Sequence, residues 1–119
     1  MLGQPSLAAR VAMLALGLGL GACHGGLGEA VSQFESGQYP AAKRSFEWLE
    51  AEADGWSPSQ RAEYALYRGL TLDALGDEIR AAGWVRRAAA IESSHPGALS
   101  STDAQRLNLV APALLDDHP

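Results

Sequence analysis

A chain of 119 residues with 47% apolar side chains has room for one small domain and no second core. Its formal charge of −5 excludes the basic face that nucleic-acid phosphates require. One cysteine excludes an internal disulfide and a thiolate zinc site, which takes at least two.

Behind the isolated charge of Arg10, Val11 to Leu20 is an uninterrupted run of apolar residues and glycine. About 20 residues are needed to span hydrocarbon, so this run is too short for a transmembrane anchor and has the form of a secretory signal. It leads through small residues to the single cysteine, as Leu20-Gly21-Ala22-Cys23. This resembles the bacterial lipobox, in which a branched aliphatic residue and two small residues precede the cysteine that receives diacylglycerol. The resemblance implies removal of residues 1–22, a covalent lipid on Cys23 and no other cofactor. His24 stands where, in that family, an aspartate would retain the protein in the inner membrane, so the implied address is the periplasmic face of the outer membrane. The other readings are an ordinary signal peptide with a chance cysteine and a buried N-terminal helix, against which the glycines between Gly17 and Gly26 weigh. Cleavage removes Arg10 and no acid, moving the charge from −5 to −6. Residues 23–28 then form a lipidated tether, in which His24 to Gly28 reaches at most about 18 Å.

Beyond the tether the chain is rich in alanine and poor in β-branched residues, which favours an all-α fold. A first helix runs from about Leu27 to Ser36 and stops at Gly37. Pro40 opens a second, with Ala42, Phe46 and Leu49 at helical spacing through to Ala53 and Gly55 placed to end it. Ser57, Pro58 and Gln60 make a capping box for a third, which ends at Gly76. Asp77 opens a fourth, carrying Ala81, Val85 and Ala88 and fading at Ser93-Ser94-His95-Pro96-Gly97. Thr102 and Gln105 repeat the capping pattern before a fifth helix, which Pro112 should end or kink.

Gly37 and Gly76 lie 39 residues apart, and the same offset carries Ala30 onto Gly69, Ala42 onto Ala81, Phe46 onto Val85 and Leu49 onto Ala88. This pattern resembles the tetratricopeptide repeat (TPR), a helix–turn–helix unit of about 34 residues. The second copy matches best, through Ala65-Leu66-Tyr67, Gly69, Leu72, Gly76-Asp77 and Ala81; the first keeps Gly37, Tyr39, Ala42 and Phe46. The longer period is assigned to the loop around 54–59. The implied organisation is two TPR-like repeats over 29–96 and a capping helix with tail over 97–119. A generic bundle of four or five helices is the alternative.

In that family ligands lie in a groove formed by the first helix of each repeat. The matching positions are Leu27, Val31, Phe34 and Glu35 in the first copy, and Glu63, Leu66, Leu70, Asp73 and Ala74 in the second. The family's lysine, arginine and asparagine clamp for a peptide carboxylate is absent. An apolar groove edged with carboxylates suits a basic or amphipathic segment. Leu66, Leu70 and Phe34 also read as simple core. Trp48, Trp56 and Trp84 read either as packing over helix ends or as partner contacts, and Arg80, Arg86 and Arg87 form a basic patch. No histidine pair has metal-ligand spacing, and acids such as Glu47 and Glu50 mark a solvated face, so no enzyme and no small-molecule substrate is expected. The expectation is an envelope lipoprotein that docks or assembles other proteins, or else an obligate structural subunit of a secretion, pilus or motility complex.

Overall fold

The computed structural model describes residues 26–117, and the signal segment 1–22, Cys23 and His118 lie outside the described residues. The described chain is all-helical and without strands, as its composition predicts: α1 (26–35), α2 (Tyr39–Ala53), α3 (Pro58–Ala74), α4 (Glu78–Ser94) and α5 (Ser101–Asp117). Of the tether read as 23–28, residues 26–28 instead belong to α1. The correction has a packing reason: Leu27 is buried in the core, and a Cβ added at Gly26 would lie 2.6 Å from Leu49 Cδ2.

The two turn glycines do the same job. Gly37 has φ 79° and Gly76 has φ 86°, in the left-handed region that glycine enters without steric penalty. Each closes a Schellman turn: Gln38 N–H donates to Gln33 O and Gly37 N–H to Phe34 O, just as Asp77 N–H donates to Leu72 O and Gly76 N–H to Asp73 O. The 39-residue offset carries into the core, where Ala42 and Ala81, Phe46 and Val85, Leu49 and Ala88 are all buried. Ala30 and Gly69 are buried as well. Gly55 has no positive φ; α2 instead ends in a turn in which Gly55 N–H and Trp56 N–H bond Glu52 O and Ala53 O.

The caps follow the sequence in part. Ser57 and Gln60 form the capping box on α3, with Pro58 inside the first turn. Asp77 caps α4 by accepting from Arg80 N–H at 3.3 Å. α5 is capped by Ser100, whose hydroxyl accepts from Asp103 N–H at 3.2 Å, and not by Thr102 with Gln105. Glu92 moves that start forward, since its carboxylate takes the N–H groups of Gly97 and Leu99, both at 2.8 Å. Those two backbone donors, Leu99 first, hold the Glu92 carboxyl below its usual range. Nor does α5 stop at Pro112. Proline removes the bond to Asn108 O, but Asn108 and Pro112 are both exposed, so water can satisfy that carbonyl while Leu114 stays buried.

Helix α3 is central. Nine of its residues are buried, and it touches α2, α4 and α5, with α4 its most extensive neighbour. A Cβ on Gly69 would meet Val85 Cγ2 at 2.8 Å and the backbone of Ala81 and Val85 at 3.2 Å, so glycine sets how closely α3 and α4 approach. α5 lies mainly on α4.

Candidate functional site

The predicted groove is filled. Leu66 is 0% exposed and Leu70 is 7% exposed, so both belong to the core and neither offers surface to a ligand. Helix α5 comes beside α3 near Glu63 and near Asp73, while most of its contact is with α4. At one end Glu63 shares a hollow of about 280 Å³ with Leu99, Ser100 and Asp103; at the other Asp73 shares one of about 230 Å³ with Glu78, Leu109 and Val110. Phe34 is half-buried, its ring 5.6 Å from those of Tyr39 and Tyr67.

A polar latch sits where α1, α3 and α5 meet. Tyr67 O–H donates to Asp103 Oδ1 at 2.7 Å, while Arg106 Nη1–H donates to Tyr67 Oη at 3.1 Å and to Glu35 Oε1 at 3.2 Å. Burial, then the Asp103 carboxylate, pushes the Tyr67 phenol well above its ordinary range. No sequence signal marks this latch, because Glu35 and Arg106 are 71 residues apart.

Glu63 is raised above the ordinary carboxyl value, first by burial and then by Asp103. A raised carboxyl value means that the folded state holds the proton more tightly, so ionisation destabilises the fold as pH rises past 4.5 and beyond the raised value. Glu63→Gln is therefore expected to increase the melting temperature at pH 7, with the gain vanishing below pH 4.5. A pH-independent difference in melting curves would contradict the assignment.

The opposite side of α3 carries a different arrangement, which the sequence reading missed. Tyr64 O–H donates to Phe46 O at 2.7 Å, and Arg68 Nη1–H donates to Tyr64 Oη at 2.8 Å. The Arg68 guanidinium lies 4.3 Å from the Trp84 ring centroid and 3.5 Å from Glu50 Oε1, with only 12% of its side chain exposed. Arg87 reaches the same indole at 4.5 Å. Trp56 and Trp84 both meet Tyr64 edge-on, at 5.7 and 5.6 Å. The sequence signal was the i,i+4 pair Tyr64–Arg68 and the i,i+3 pair Trp84–Arg87, each of which puts a cation beside an aromatic ring.

Above this floor opens a cleft of about 370 Å³ lined by Glu50, Asp54, Arg61, Trp84, Arg87 and Ile91. It offers an apolar surface, an indole already fixed in place and charges of both signs. That combination suits one apolar side chain of a polypeptide segment, with polar neighbours engaging the flanking charges. Of the predicted basic patch, Arg87 belongs to this cleft and Arg80 pairs with Asp77 at 3.6 Å.

Trp48 is 86% exposed on α2, while Trp56 and Trp84 are half-buried. Among the described residues, no group of three His, Cys, Asp or Glu side chains is placed to hold a metal ion, and no helix is long and apolar enough to cross a membrane. No protein-family model matches this chain, and no curated protein or solved structure matches it.

Proposed function

We propose that this chain is a lipid-anchored envelope protein that docks a segment of another protein, with a TPR-like two-repeat domain as the docking module and acyl groups on Cys23 as the anchor at the periplasmic face of the outer membrane. The cleft between α2 and α4 carries the docking reading: its Trp84 is held by Arg68 and Tyr64 before any partner arrives. A fixed aromatic loses little side-chain freedom on binding, which favours affinity. The acidic net charge favours a partner with basic residues, while Glu50 and Asp54 beside Arg61 and Arg87 give the polar neighbours of its apolar anchor charges of both signs to engage. The lipobox Leu20-Gly21-Ala22-Cys23 supports the anchor, and the paired Schellman turns with their buried 39-residue offset support the repeat reading.

A second reading, an obligate structural subunit, is favoured by one observation. Ile79 is 75% exposed and Leu109 78% exposed, on α4 and α5 at the end of the domain where Leu75 also reaches solvent. One experiment separates the two. A photo-crosslinking side chain at Ile91, in the cleft, and another at Ile79 are compared in intact cells. Docking predicts protein adducts from position 91; adducts from position 79 alone would favour the subunit.

A further inference from the structure

We propose that the Trp48 face of α2 rests on the bilayer, in a zwitterionic phospholipid headgroup layer. The inference rests on the reading that Cys23 carries the lipid. Only His24 and Gly25 separate Cys23 from Gly26, so the two Cα atoms are at most about 11 Å apart. Gly26 is fixed against Leu49, the neighbour of Trp48 on α2. The attachment point of the acyl chains and the exposed indole are therefore at the same end of the molecule. The polar layer on each side of a bilayer is about 5–8 Å deep, and so short a tether keeps that end of the domain within about 11 Å of the lipidated residue, next to that layer.

The chemistry of the face agrees. Trp48 is the largest exposed apolar side chain among the described residues, and an indole with one N–H suits the boundary between acyl chains and water. Beside it a shallow hollow of about 430 Å³ is lined by Gly26, Glu29, Gln33 and Arg44. Arg44 offers a cation to phosphate and Glu29 an anion to the headgroup ammonium, a pairing that fits zwitterionic lipid better than a strongly anionic surface. The cleft bearing Trp84 involves other residues of α2, with α3 and α4, so membrane contact and docking use different surfaces.

The test uses the full chain, purified with its lipid and reconstituted into vesicles of phosphatidylcholine brominated on its acyl chains. Intact mass first establishes whether Cys23 is acylated. Emission of Trp48 is then isolated as the difference between the native chain and Trp48→Phe, whose far-ultraviolet circular dichroism should be unchanged because the side chain is exposed. The expected result is a blue shift and loss of most of this difference emission to bromine, with protection from aqueous acrylamide. An acylated chain whose Trp48 stays red-shifted, escapes bromine and is quenched by acrylamide overturns the proposal alone. Protection from both quenchers also overturns it, and would assign the face to a protein surface. An unmodified Cys23 overturns the anchoring reading and this inference with it.

Discussion

Gly69→Ala should destabilise the domain by about 2–3 kcal/mol, the range expected when a methyl group is forced into a filled interface. Two of the three nearest atoms to the new Cβ are backbone, Ala81 O and Val85 N at 3.2 Å, so a rotamer change cannot relieve them; Val85 Cγ2, at 2.8 Å, belongs to a fully buried side chain. The helices must separate, and α3–α4 is the most extensive helix–helix contact among the described residues. Gly83→Ala is the matched control. It lies within α4, is exposed, and has nothing within 4 Å of an added Cβ. There the better helix propensity of alanine should stabilise by about 0.5–1 kcal/mol. Urea unfolding of both variants checks the opposite signs, and equal shifts would contradict the close α3–α4 approach.

Leu66→Ala should lower stability by about 3 kcal/mol, since a fully buried leucine loses its transfer energy and leaves a cavity. Asp73→Ala, on the same predicted groove but exposed, should change stability by no more than about 0.5 kcal/mol. If Leu66 lined an open groove, its truncation would resemble that of Asp73. Denaturation midpoints of the two variants therefore distinguish core from ligand surface.

What the sequence revealed was mostly local. Gly37, Gly76, Ser57 with Gln60, and Asp77 act within a turn of their own positions, and their expected roles match the observed hydrogen bonds. The 39-residue offset was legible for a related reason: equivalent turns place equivalent small residues at the same contact. Local rules failed where a distant group intervened. Thr102 loses the cap to Ser100 because Glu92 organises the preceding loop, and Pro112 is carried within α5 because its exposed side leaves Asn108 O open to water. The groove positions carried two readings, and burial places Leu66 and Leu70 with the core reading. Periodicity put Leu66 and Leu70 on one stripe of α3, but periodicity alone does not say whether a stripe is covered. The Trp84 cleft needs residues from three helices, which no single window of sequence contains.

Arg106 has a consequence for how the molecule comes apart. Helix–turn–helix arrays touch only their nearest neighbours, so they can fray from an end one unit at a time. Here the guanidinium of the last helix reaches a carboxylate of the first, 71 residues away, with Tyr67 of the central helix between them. The two termini of the described domain thereby share one fastening. Neither end can peel away without breaking it, and the loop it closes is among the longest available to the fold. The latch thus adds one long-range tie between the first and last described helices to a fold whose other contacts join helices closer in sequence.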